Sequence, residues 1–397
     1  MLYASRLAVL VGALALDPVG VRETASSTPV RRSPVASHAW LRAGTPDIKA
    51  AGALTFTADG LLLVGDSPGS AVFALDVRDV ATVVVDTINV KGIDELVAAR
   101  LGTKASEIAI NDIAVHPKSH AVYLSVARGL GAGARPAIVR VGAKGRIDVV
   151  SLTNIPFAKA VLPNPPAPGK KDEDGDDVSD RAITGLAVVG GSLYVTGISN
   201  DEFSSTLRRI SIPFTTAVAT TGLRIYHTHH SRYETKSPVS ALTSYSVGGR
   251  DYLVVSYSCT PLAIFAVDSL ADGAKVTGKT FAELGAGTHA TSMITYEFKG
   301  KRYLAVSTIG RSIQVLEATD LTTAPALGAD SNPSRGHPLG SWFMWGLPAF
   351  SSSVPGVMRM ADFDANNAVV LHRTVQSGVL YLRELQKPIL WARGATE

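Results

Sequence analysis

A single cysteine in 397 residues has nothing to pair with. That excludes a disulfide framework, zinc ribbons, iron–sulfur centres and c-type haem attachment. No Gly-rich phosphate loop, Walker sequence or dinucleotide fingerprint occurs, which removes the commonest nucleotide-binding classes. No apolar run reaches the about 20 residues that a membrane helix needs. Charged residues make up 18% of the chain, and 38 basic against 34 acidic give a net charge of +4. With no basic stripe, a nucleic-acid partner is not expected. Helical periodicity is scarce, and Ile93–Leu101 (IDELVAARL) is its clearest instance.

What remains is 46% hydrophobic residues with 36 Gly and 21 Pro, ample for a core and rich in turns. Residues 1–16 (MLYASRLAVLVGALAL) carry an early Arg6, a ten-residue apolar run and Ala13-Leu14-Ala15. That is the form of a secretory signal with a small-x-small cleavage site, and a buried N-terminal strand is the rival. The expected organisation is a signal peptide over 1–20, a flexible lead-in over 21–40 and one large domain over 41–391. The mature chain would be periplasmic or secreted, with no membrane span.

One pattern recurs six times: an apolar strand, a tight turn and a second apolar strand. Its copies begin at Gly52, Asn111, Thr184, Val239, Thr291 and Arg359. A third strand follows each copy, at 71–77, 137–141, 207–212, 262–267, 313–317 and 379–383. Fourth strands are expected at 82–88, 147–152, 223–227 and 279–283. The copies repeat at a mean of about 61 residues, against 40–45 for WD repeats. Four short strands per unit predict an all-β fold, a β-propeller of six four-stranded blades with long loops. A seventh blade would have to be concealed in 22–40 or 324–353. A two-sheet sandwich is the alternative, but six matching units favour radial closure.

Leu193-Tyr194-Val195-Thr196-Gly197 is similar to the LYVTN signature of bacterial exported YVTN-type propellers, with Gly197 in place of the final Asn. The preceding Gly185-Leu186-Ala187-Val188 resembles the inner strand of lactonase-like propellers. The resemblance is sharp in one blade. It implies the fold and export more than an activity, since fold does not carry function.

In an antiparallel blade, first-to-second turns lie on one face of the disc. Second-to-third turns and blade connections lie on the other. The first set is plain turn chemistry, such as Gly190-Gly191 and Gly248-Gly249. The second set holds the unusual residues, so binding groups are expected on that loop-rich face.

The most specific candidate is Tyr226-His227-Thr228-His229-His230-Ser231-Arg232-Tyr233-Glu234. His227 and His229 would share one side of a strand, with His230, Glu234 or His289 completing a metal site at the channel mouth. Imidazole suits zinc or copper, and added carboxylate suits manganese or iron. Solvated histidines at a strand end are the bland alternative. The acidic run Asp172-Glu173-Asp174-Gly175-Asp176-Asp177 with Asp180 could hold calcium, but lacks the spacing of a helix–loop–helix site. Cys259 could be a nucleophile beside a histidine, or simply a small buried hydrophobe. Asp112 and Arg359 enter first strands and could line the channel mouth as an ion pair or an anion clamp. Trp342, Phe343 and Trp345 form an aromatic cluster that either packs on the surface or contacts a ligand.

No intact catalytic motif is present. The expected function is therefore binding of a small-molecule ligand or protein through the loop-rich face and channel mouth. The alternative is a metal-dependent hydrolase or oxidoreductase built on the histidine group, with Arg359 orienting an anionic substrate.

Overall fold

The structure is a computed structural model that describes residues 38–79, 84–258, 261–331 and 344–389. The signal peptide, nearly all of the lead-in, Cys259, Trp342 and Phe343 lie outside the described residues.

Six antiparallel sheets form the blades of a β-propeller. In blade I the strands Leu54–Phe56, Leu62–Asp66 and Ala71–Leu75 run outward from the axis. Blade II is Ile108–Val115, Val122–Arg128, Arg135–Val141 and Ile147–Val149. Blade III is Gly185–Val189, Ser192–Ile198, Ser205–Ser211 and Val218–His227. Blade IV is Val239–Val247, Arg250–Tyr257, Pro261–Ala266 and Lys279–Glu283. Blade V opens with His289–Phe298, Lys301–Ile309 and Gln314–Glu317, and blade VI with Val357–Asp362, Asn367–Arg373 and Leu380–Gln386. All six predicted hairpins are present, and each third strand falls where the repeat places it. The predicted helix Ile93–Leu101 also forms, ending at Gly102.

The order around the axis differs from the order along the chain. Contacts between inner strands run I–III–IV–V–VI–II and back to I. Blade I takes its outer strand, Ile155–Val161, from beyond blade II. Blade VI takes its outer strand, Asn89–Lys91, from before blade II. The fourth strand expected at 82–88 is therefore corrected. Residues 84–88 pair with nothing as a strand, and Val85 and Ile88 are buried in the core shared by blades I, II and VI. Their apolar character served packing, not pairing. The described part of 324–353 holds no seventh blade. It supplies the outer strand Ala349–Ser351 to blade V and an edge strand, Trp345–Gly346, to blade IV.

Two glycine positions show how the backbone enforces this geometry. Gly190 and Gly191 have φ of 53° and 76°, the left-handed pair that a two-residue hairpin requires. Gly197, where the YVTN signature has Asn, faces the backbone of the preceding connection. A Cβ there would overlap the Ala182 carbonyl oxygen. The departure from the signature is thus a packing requirement. Gly197→Ala is expected to cost about 1–3 kcal/mol, read as a lowered urea midpoint with an unchanged m-value.

Candidate metal centre

The outer strand of blade III ends at His227, and the chain turns through Thr228–Ser231 into the short return strand Arg232–Glu234. Ser231 closes the turn, donating its amide to Thr228 O at 3.0 Å with φ of 52°. This hairpin packs beside Lys279–Glu283, the outer strand of blade IV. Five ionisable side chains meet there. His227, Glu234 and Glu283 are buried, His229 is nearly so, and the side chain of His230 is 28% exposed.

Glu234 is the hub. Its carboxylate lies 2.6 Å from His230 Nδ1 and 3.1 Å from His227 Nδ1. It also accepts Arg232 Nε at 3.1 Å and Ser237 Oγ at 2.9 Å. Burial pushes this carboxyl up, but the His227 and His230 imidazoles outweigh burial and hold it well below the usual carboxylate range. The His227 and His230 rings lie against each other at a tilt of 41°, with centroids 3.8 Å apart.

Glu283 anchors the other side. It accepts the backbone amides of Thr228 and, at 3.3 Å, His229. His229 Nδ1 lies 2.6 Å from the same carboxylate, while Trp345 Nε1 donates to His229 Nε2 at 3.1 Å. That network assigns the His229 proton to Nδ1. Trp345 comes from the edge strand of blade IV, so the strand straps the hairpin down.

Two groups of side chains can each present three ligand atoms within 4.8 Å of one another: His227, His230 and Glu234, or His227, His229 and Glu283. Tetrahedral zinc with bonds near 2.0–2.1 Å needs its ligand atoms about 3.3 Å apart. His289 belongs to neither group. It stands exposed at the start of blade V.

Glu283 was not among the sequence candidates. Its signal was a carboxylate inside the apolar run Phe281-Ala282-Glu283-Leu284, since a buried charge needs partners. The acidic run at 172–180 contributes by a different route. Glu173 accepts the amides of Thr235 and Lys236, both at 2.8 Å, and Asp174 pairs with Arg232 at 3.1 Å. Its carboxylates thus pin the histidine hairpin, and none belongs to a metal-capable group.

The centre lies at the rim between blades III and IV, not at the channel mouth as expected. The strand carrying the histidines is an outer one, and inner strands alone line the axis. Arg359 is on blade VI, opposite blade III in the ring. It donates to Asn111 O at 2.7 Å and lies 3.7 Å from Asp112. Asp112 in turn accepts the Leu54 amide at 2.8 Å. Burial raises the Asp112 carboxyl, and Arg359 opposes that shift. The pair clasps blades VI, II and I, and Arg359 takes no part in the histidine centre. Bulges at Asn111, Ser240, Thr291 and Met358 re-aim the inner strands at this mouth. The axis holds a cavity of about 500 Å³ lined by all six inner strands.

No protein-family model and no curated protein matches the chain. Solved structures resemble it only at low identity. A putative oxidoreductase (glucose dehydrogenase) from Thermus thermophilus shares 14% identity at a TM-score of 0.35, with 87% of this chain and 100% of that one covered. A streptogramin B lyase shares 11% at 0.33, with 87% and 89% covered. The U3-55K protein shares 8% at 0.35, with 86% and 98% covered.

Glu234→Gln removes the charge that both histidines face. A depressed folded-state pKa stabilises the native state above the unfolded value and loses that stabilisation as pH falls through the folded one. The stability gap between wild type and Glu234→Gln should therefore persist at pH 4, near the ordinary carboxyl pKa of about 4.3. Urea unfolding from pH 7 to pH 3 checks this.

Proposed function

We propose that the protein is a metal-binding propeller that holds one divalent transition-metal ion at the blade III–IV rim. His227, His230 and Glu234 would be its protein ligands. The observation that carries this reading is the convergence of two imidazoles on one buried carboxylate. His230 is partly exposed, which leaves a route for an ion from solvent. The His229 group is less suited, because Trp345 and Glu283 already engage both ring nitrogens of His229. Two histidines and a carboxylate suit zinc, manganese or iron better than calcium. The metal would serve binding of a ligand or partner at the loop-rich face, or a metal-assisted reaction there.

Export to the periplasm or medium is part of the proposal and rests on residues 1–16. Kinship with exported YVTN-type propellers rests on Leu193–Gly197 alone. A second reading, small-ligand binding in the axial channel, is favoured by the cavity and by the hydroxyls of Thr184, Ser240 and Thr291 along its wall.

Protein purified without a tag or chelator should contain, or take up, about one equivalent of zinc or cobalt by elemental analysis. His230→Ala and Glu234→Gln should each abolish uptake, while His289→Ala should leave it unchanged. Uptake that survives in both of the first two variants, or no uptake by wild type, would overturn the proposal.

A further inference from the structure

Large aliphatic side chains left in water at loop tips are the main feature the metal centre does not use. Among the described residues Leu130 is 71% exposed, Val375 75%, Ile309 62% and Met358 38%. Leu130 and Val375 lie in the second-to-third turns of blades II and VI, and Ile309 ends the second strand of blade V. Met358 is the bulge residue where the inner strand of blade VI begins. All four positions are on the loop-rich face, and blades V, VI and II are consecutive in the ring.

An arginine lies within two residues of each. Arg128 precedes Leu130, Arg311 follows Ile309, Arg359 follows Met358 and Arg373 precedes Val375. Arg135 adds a further exposed cation across the turn from Arg128. Asp94, Glu95, Glu107 and Asp112 offset part of this charge. The opposite sector has the reverse character. The second-to-third turn of blade III carries Asp201 and Glu202, and the acidic run at 172–177 joins blade I to blade III. Much of that acidic charge is paired, Glu202 with Lys275, Asp174 with Arg232 and Asp177 with Lys171, so the two sectors differ in the balance of charge.

We propose that the loop-rich face of blades V, VI and II docks on an anionic lipid surface. Three aliphatic tips, Leu130, Ile309 and Val375, each with an arginine close by in sequence, match the acyl boundary and the phosphate layer of a bilayer. The tips are spread over three consecutive blades, which suits an extended, deformable surface. A protein interface would instead need a contiguous core with aromatic anchors. Among the described residues no helix is long and apolar enough to cross a membrane, so the contact would be peripheral.

The test is co-sedimentation with vesicles of equal parts phosphatidylglycerol and phosphatidylcholine, and with phosphatidylcholine alone, at low salt. Wild type should pellet with the anionic vesicles only and be released by about 0.5 M salt. The triple variant Leu130→Ser/Ile309→Ser/Val375→Ser should weaken binding by at least about tenfold. Arg128→Gln/Arg135→Gln should weaken it by roughly fivefold for each charge removed. These positions are solvent-exposed, so thermal midpoints should stay close to wild type. Failure of wild type to pellet would overturn the proposal. So would equal pelleting with neutral vesicles, or an undiminished affinity in the triple variant. Retention on an acidic protein without any vesicle binding would also overturn it, assigning the surface to a protein partner.

Discussion

The inner strands of neighbouring blades form no ladder with one another among the described residues, so side chains carry much of the ring from blade to blade. Beside them runs one parallel ladder, of Gly222–Arg224 with Lys275–Thr277, between blades III and IV. Blade II reaches blade I through Asn111 Nδ2 to Ala51 O at 2.8 Å and Ser125 Oγ to Gly52 O at 2.6 Å. Ser67 of blade I accepts the Ile183 amide at 2.8 Å on the way into blade III. Ser292 of blade V accepts the Met360 amide of blade VI at 2.8 Å. Tyr245 of blade IV donates to Ala318 O at 3.0 Å beneath blade V. Each such bond satisfies a backbone group that is otherwise removed from water, so their loss would cost more than their modest net strength suggests. Hydroxyl and amide side chains at the blade junctions are thus mortar between blades.

How much of this was legible depended on whether the information was local. Tight turns, alternating apolar residues and the short helix are fixed by neighbours in sequence, and these were readable. Outer strands are different. Asn89–Lys91 and Ala349–Ser351 are three residues each and pair with strands far along the chain, so no local periodicity marks them. The order of blades around the axis is likewise invisible to a repeat count. A period says how many units there are, not which unit lies beside which.

The histidine centre was half legible. The spacing of His227 and His229 pointed to a shared strand face, but the strand stops at His227. Once the turn begins, alternation no longer applies, and His230 is the residue whose ring packs against His227. Glu234 was identified through its place in the same segment. Glu283 came from a strand far along the chain, which only the packing of blade IV against blade III could bring in. The acidic run, rich enough in carboxylates to suggest calcium, is a brace for the hairpin.

The exchange of outer strands between blades bears on how the chain is made. Blade I emerges first from the ribosome as three strands, yet its sheet is completed only after 155–161 has been synthesised. Asn89–Lys91 waits far longer, because its partner Leu380–Gln386 follows blades II to V along the chain. Until then the edge of the third strand of blade I and the segment destined for blade VI stay open, and open edges invite mispairing. Contacts of such long sequence separation slow folding as well, since loop closure precedes any reward from pairing. Blades I and VI therefore cannot be completed in the order in which their first strands are made. Blade VI closes in a late step that joins Asn89–Lys91 to Leu380–Gln386, after blades II to V have been made.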